Sequence, residues 1–425
     1  MDSLTLGPIT RVDGVVDVPG SKSASNRVLL MSALASGTTT VSHLLDSDDT
    51  SHMIEALAAM GVAIALTPER TGATVLGAGG PLPATQAALF LGNAGTAVRP
   101  LTAALCLGNG TFMITGDGQM HERPIRDLVD ALRQLGARVD YLGRDGCPPL
   151  RIVASGITGD ACTVRGDTSS QYLTALLMLL PLVDHPVRIE VVGDLVSRPY
   201  IDLTLDVMAQ FGVRVEHDGY AVFTVASPNG YTAPREILVE GDASAATYFL
   251  SAAAIRGGTV RVTGVGREST QGDALYAQVL ERMGAKVTLG NDFIEVARGT
   301  LQGIDFDGGD MPDAAMSLAT TALFAEGETT IRNIRTWRFK ETDRLSAMAT
   351  ELRKVGATVT EFEDALRIVP PDRIQSTAID TYNDHRMAMC FSLAALGDAA
   401  ITINDHNCVS KTFPGYFEEL ALITR

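Results

Sequence analysis

The sequence has 425 residues, enough for two to four domains at roughly 100–200 residues each. Apolar residues make up 46% and charged residues 20%, ordinary globular usage that excludes a mainly disordered chain. Lys plus Arg (34) against Asp plus Glu (50) leaves a net charge of −16, which opposes nonspecific attraction to nucleic acid or an anionic membrane. Any anionic ligand must therefore be captured by a locally basic site.

Residues 1–20 mix Asp, Thr, Arg and Pro and lack the continuous apolar stretch of a secretory signal. The longest apolar run, Tyr172 to Val183, contains Thr174 and Pro181 and is too short to span a bilayer. The five cysteines, at 106, 147, 162, 390 and 408, form no CxxC pair and no cluster with His, so neither zinc nor a disulfide framework is expected. A soluble, cytoplasmic protein with reduced thiols fits these features.

Along the chain one string recurs: a Gly, a short β-branched strand, a helix-period stretch, then a Gly followed by Ala or Val and another strand. The closing glycines are Gly61, Gly136, Gly212, Gly284 and Gly356, spaced 75, 76, 72 and 72 residues apart by subtraction. A sixth copy begins near Ala399 and runs out at the C-terminus. Before each Gly-strand stands a polar head followed by a small-residue apolar helix. In order, the heads are Ser21–Arg27, Asn93–Arg99, Asp167–Gln171, Asp242–Ala246, Met311–Ala315 and Asn383–Met387. Each puts Ser, Thr, Asn or Asp at a helix entrance, where a side chain can cap orphan N–H groups. The spacing predicts six strand–helix–strand–helix–strand–strand units, an α/β fold, gathered into a few compact domains because the period exceeds that of common solenoids. If such units pack symmetrically, several positive helix N-termini aim in related directions and favour an anion.

The cations are placed unevenly. Lys22, Arg27, Arg99 and Arg386 lie in or at the end of the heads; Arg123, Lys340, Arg344 and Lys411 follow the Gly-strands. Arg suits bidentate contacts to carboxylate or phosphate, with Lys as a compact charge beside it, so two anionic groups could be held together. Read as a helix, residues 337–344 would place Lys340 and Arg344 as a like-charge i,i+4 pair, unfavourable unless an anion bridges it. Asp313, just after Pro312, and Glu341, flanked by cations, are the candidate acid and base; adjacent cations favour the ionised form and desolvation the neutral one. As bland alternatives, Asp313 would be a plain N-cap and Glu341 a plain ion-pair partner. One His in Asn383-Asp384-His385-Arg386 without a companion at ligand spacing argues against a metal. No GxxxxGK[ST] loop, no GxGxxG in its strand–helix context and no GxSxG elbow is present, which excludes the usual ATP, dinucleotide and Ser-hydrolase signatures.

Eight strings in order, Pro19–Arg27, Leu91–Thr96, Glu122–Ile125, Asp167–Gln171, Ser197–Tyr200, Lys340–Arg344, Asn383–Arg386 and Lys411–Pro414, together resemble the 5-enolpyruvylshikimate-3-phosphate synthase family from the first strand to the last few residues. The resemblance implies two similar domains of three βαβαββ repeats each, an inverse α/β barrel-like arrangement. Residues 1–20 plus 240–425 would form a discontinuous domain and 21–239 a continuous one, hinged near 20 and 240, with the active site in the interdomain cleft. It implies transfer of the enolpyruvyl group from phosphoenolpyruvate to the 5-hydroxyl of shikimate 3-phosphate through a tetrahedral intermediate, with release of phosphate and no metal or organic cofactor, on the way to chorismate and the aromatic amino acids. A monomer is implied as well.

By the same resemblance Lys22, Gly95, Arg123, Gln171, Arg344, Arg386 and Lys411 would bind phosphoenolpyruvate. Lys22, Ser23, Arg27, Ser169, Ser170, Gln171, Ser197, Tyr200, Asp313 and Lys340 would hold shikimate 3-phosphate. Asp313 would take the proton from the 5-hydroxyl, and Glu341, with Lys22, would handle protons at the methylene carbon. Thr336 stands where relatives often place Asn for a shikimate contact, so that contact is not carried over. Gly95 resembles the glyphosate-sensitive class, with competition against phosphoenolpyruvate expected. Two alternatives are the sister transferase acting on UDP-N-acetylglucosamine, which presents a loop Cys that residues 116–122 lack, and a catalytically silent anion-binding relative.

Overall fold

Six helices begin where a head residue meets a run of Ala, Leu, Met or Val, and these helices are buried nearly all round. Lys22–Leu34 buries 12 of its 13 residues and Ala243–Arg256 buries 13 of 14; His385–Ser392 is buried throughout. A helix without a wet face belongs in a core, and here the sheets lie outside. Ser21, Ser169, Asp242 and Asp384 cap their helices through side-chain oxygens that accept from backbone N–H groups. Gly95–Leu105 starts after Ala94 without a side-chain cap, and Asp313, although at the N-cap position of Ala314–Thr321, does not cap it.

The computed structural model describes residues 2–226 and 230–425. One unit illustrates the repeat. Strand Gln86–Phe90 leads through helix Gly95–Leu105 to a parallel neighbour, Asn109–Thr115; helix Arg126–Gln134 follows, then the strands Arg138–Tyr141 and Leu150–Ser155. Leu150–Ser155 inserts antiparallel between Asn109–Thr115 and Arg138–Tyr141, with Ile152 opposite both Phe112 and Val139. Phe112, Ile114, Leu150 and Ile152 point inward, while Met113 and Arg151 face water, the period-2 alternation of a half-covered sheet. Five four-stranded sheets share this first–second–fourth–third order.

The chain divides into two compact units, Met1–Pro19 with Glu240–Arg425, and Gly20–Val239. Each has its own apolar core. The sheet beside helix Lys22–Leu34 takes its first strand from Glu236–Leu238, at the far end of its unit, and that beside Ala243–Arg256 takes Gly14–Asp17. The sixth copy differs from the others. It begins at Thr377–Ile379, one strand and one helix ahead of the start near Ala399 expected from the sequence, crosses through His385–Ser392 to Ile401–Asn404, and then leaves as a 3₁₀ turn, His406–Lys411, and the helix Tyr416–Ile423. With no following hairpin, the open edge of Ile401–Asn404 is covered antiparallel by Ser3–Leu6 from the other end of the chain. No helix among the described residues is long and apolar enough to cross a membrane.

Candidate functional site

In the unit that contains both termini, charged side chains gather around Asp313. Because Asp313 leaves its own helix uncapped, both carboxylate oxygens are available to cations. Oδ1 accepts from Arg344 Nη1 at 2.9 Å and lies 3.7 Å from Lys340 Nζ; Oδ2 lies 2.8 Å from Arg386 Nη2. Lys340 and Arg344 are not successive turns of one helix. A 3₁₀ stretch, Arg335–Phe339, ends before an extended Lys340, and Asp343 caps a new helix, Arg344–Lys354. The like-charge pair expected from the sequence is bridged, and the bridging anion is Asp313. Arg344 is almost wholly buried and spends its other donors on Asp384 (2.7 and 3.2 Å) and on Glu341 Oε2 (2.7 Å).

Three cations thus face three carboxylates. Burial pushes the Asp313 carboxyl up, but Arg386, Lys340 and Arg344 together outweigh it and hold the group well below the usual carboxylate range. Burial pulls the Lys340 ammonium down. For Arg344, burial is more than offset by Asp384, Glu341 and Asp313, so its guanidinium is raised. Arg386 Nη1 donates to Tyr248 Oη at 3.0 Å. Lys411 is buried at the end of the turn that packs on helix His385–Ser392.

In the unit Gly20–Val239 the predicted residues fall into two groups. Arg123 Nη1 donates to both oxygens of Asn93, the backbone carbonyl at 3.0 Å and Oδ1 at 2.8 Å, and Asn93 Nδ2 donates to Gln119 Oε1. Arg99 Nη2 and the Tyr172 hydroxyl both donate to the Pro124 carbonyl and so hold the Arg123-Pro124 segment. A Cβ on Gly95 would fall 2.2 Å from Arg99 Nη1 and 3.0 Å from Arg123 Nη2, so the room left at 95 is filled by guanidinium groups. Lys22, the first residue of its helix, lies 3.4 Å from Asp49.

Arg27 joins three helices. It donates to Ser23 O, Thr174 Oγ1, Tyr200 O and Thr204 Oγ1, and burial pulls its guanidinium down to about 10. Ser169 caps Ser170–Leu179 through Gln171 N, Ser170 is buried, and the buried Gln171 Oε1 has no hydrogen-bond partner among the described residues. Ser197 takes a left-handed φ of 55° just before helix Pro199–Gln210, which carries Tyr200. Thr336 is buried with Oγ1 unpartnered among the described residues.

Four residues at these clusters were not singled out from the sequence. Asp384 lies in the string Asn383–Arg386 already marked by its neighbours, whereas Asp49 lies in none of the marked strings and only its place in the first turn of helix Asp48–Ala59 could have signalled it. Tyr248 and Asp273 carried none. Asp273 is buried on the 3₁₀ turn Gly272–Leu275 and accepts from Ser244 Oγ.

The arginines and lysines that converge on a carboxylate in one unit, and the guanidiniums packed at a helix start in the other, stand on buried helices and sheets of one repeated topology, a fold shared with solved enolpyruvyl transferases. The fold agrees: a solved enolpyruvyl transferase, NikO from Streptomyces tendae, is 19% identical with a TM-score of 0.80, covering all of this chain and 98% of that one. An EPSP synthase structure from Acinetobacter baumannii gives 0.83 at 28% identity, with 100% and 98% coverage. The chain belongs to the EPSP synthase family (3-phosphoshikimate 1-carboxyvinyltransferase), whose description matches residues 6–420. Proteins named 3-phosphoshikimate 1-carboxyvinyltransferase from Serratia proteamaculans and Yersinia pseudotuberculosis are 59% and 58% identical over 426 residues, 100% of this chain and 99% of each relative.

Proposed function

We propose that this chain transfers the enolpyruvyl group of phosphoenolpyruvate to the 5-hydroxyl of shikimate 3-phosphate, releasing phosphate. The observation that carries the reading is the grip of Arg344, Arg386 and Lys340 on Asp313, a carboxylate at a helix entrance that does not cap its helix. Both substrates are anions, and fixed cations offset their repulsion before the reacting atoms approach; alignment of this kind supplies about 7–11 kcal/mol in well-oriented reactions.

In this reading Lys22, Gly95, Arg123, Gln171, Arg344, Arg386 and Lys411 serve phosphoenolpyruvate. Lys22, Ser23, Arg27, Ser169, Ser170, Gln171, Ser197, Tyr200, Asp313 and Lys340 serve shikimate 3-phosphate. A carboxylate held as tightly as Asp313 is a poor base. As phosphoenolpyruvate engages Arg344 and Arg386, their charge is shared between substrate and Asp313, and the carboxylate becomes basic enough to accept the hydroxyl proton. In the same reading Glu341, which accepts from Arg344, exchanges a proton with the methylene carbon, with Lys22 assisting. The tetrahedral adduct then loses phosphate.

Glyphosate competes with phosphoenolpyruvate in the same reading, and the enzyme works as a cytoplasmic monomer. Phosphate release with both substrates tests the reaction: turnover by the wild type, abolished in Asp313→Ala and Glu341→Ala, is expected. Equal rates in all three proteins would overturn the mechanism, and noncompetitive glyphosate inhibition would remove the inhibitor from the reading.

A further inference from the structure

Glu351 lies outside the groups assigned above, yet its side chain is wholly buried. It sits on helix Arg344–Lys354 two turns beyond Arg344, hence on the same face. Its oxygens are turned toward one short segment. Oε1 accepts from the Tyr382 hydroxyl at 2.7 Å; Oε2 accepts from Asp380 N at 3.3 Å and from Lys354 Nζ at 2.9 Å. Lys354 also bonds Asp380 Oδ2 at 2.7 Å.

That segment is conformationally unusual. Tyr382 and Asn383 have φ of 56° and 53°, and Asp384 N donates to Thr381 O at 2.9 Å, so residues 381–384 close a turn through two successive left-handed residues. This is the φ pattern of a type I′ turn, which prefers Gly, Asn or Asp; Asn383 suits it and Tyr382 does not. A bulky residue in the left-handed region persists when its surroundings hold it there. The turn delivers Asp384, which grips Arg344 and caps the following helix, and Arg386, which reaches Asp313. Burial and the Glu351 carboxylate push the phenol upward, so it keeps the proton it donates.

We propose that Glu351 is a positioning residue: through the Tyr382 hydroxyl it locks the left-handed turn that sets Asp384 and Arg386, and thereby the affinity for phosphoenolpyruvate. The proposal rests on the function proposed above for its second half, the affinity; the lock itself does not depend on it.

The test uses two substitutions at a partly exposed position. Tyr382→Phe removes only the hydroxyl. Its KM for phosphoenolpyruvate should rise about 5–30-fold, the equivalent of roughly 1–2 kcal/mol, while KM for shikimate 3-phosphate stays within about twofold. Amide hydrogen exchange across residues 380–387 should speed up. Tyr382→Asn also lacks the phenol but brings its own left-handed preference, so its KM for phosphoenolpyruvate and its exchange should return most of the way to wild type. Unchanged KM and exchange in Tyr382→Phe, or equal impairment in both variants, would overturn the proposal. A wild type that turns over neither substrate would sink the functional reading alone, and the exchange comparison would still decide the lock.

Discussion

Arg344 Nη1 donates to Asp313 Oδ1 at 2.9 Å across 31 residues of sequence, and the same guanidinium is doubly bonded to Asp384. Asp313 is therefore part of a buried charge lattice as well as the proposed base, and removing its charge should show in two measurements. Asp313→Asn should lower kcat by about 10²–10⁴. At neutral pH it should also lower the unfolding midpoint, because Arg344 and Arg386 lose a buried partner. The folded carboxyl is depressed, so its stabilisation is present above the unfolded value near 3.8 and is lost as pH falls below it. The stability gap between wild type and variant should narrow in acid; a gap independent of pH would contradict the lattice.

Gly95 tests how closely the arginines are packed. A methyl at 95 meets Arg99 Nη1 at 2.2 Å and Arg123 Nη2 at 3.0 Å, and Arg123 is tied by two bonds to Asn93. Ala is otherwise well suited to a helix start, so Gly95→Ala should fold normally. KM for phosphoenolpyruvate should rise roughly tenfold with KM for shikimate 3-phosphate within about twofold. Equal effects on both substrates would show that the displaced arginines do not serve phosphoenolpyruvate in particular.

Asp273 should carry a pH-dependent cost. Burial, then the Asp313 charge, raises its carboxyl to about 6, against opposing contributions from Arg386 and the Ser244 hydroxyl. The folded chain then keeps a proton between about pH 4 and 6 that the unfolded chain has released. Its contribution is intact below the unfolded value, is lost as pH rises through the folded value, and leaves a penalty above about 6. Asp273→Asn keeps an acceptor for Ser244 and removes that penalty. Relative to wild type, its unfolding free energy from urea titration should therefore improve more at pH 7.5 than at pH 4, by on the order of 1–3 kcal/mol. The same difference at both pH values would show that folding does not raise the Asp273 carboxyl.

What could be read beforehand was periodic or local. The closing glycines set the phase of the repeats, and the heads at 21, 169, 242 and 384 mark helix starts because each capping bond spans only two or three residues. The hold of Ser3–Leu6 on Ile401–Asn404, bonded across 397 residues at Thr5 and Thr402, has no local signature. The candidate site divides similarly. Arg344 and Arg386 stood out as cations in an acidic chain. That Asp313 answers both, that it bridges Lys340 to Arg344, and that Asp273 lies within electrostatic reach follow only from how separate repeats pack.

The cysteines separate this chain from the sister transferase that presents a loop thiol. All five are buried, and burial pushes Cys106, Cys162, Cys390 and Cys408 up to about 12 and raises Cys147 as well. A thiol so held is neither exposed nor ionised at neutral pH, and the thiolate is the reactive form. Native protein at pH 8 should release no chromophore from an aromatic disulfide reagent over minutes and should retain full turnover, whereas protein unfolded in guanidinium should titrate five thiols. A single fast-reacting thiol in the native state, lost together with activity, would return the sister chemistry to consideration.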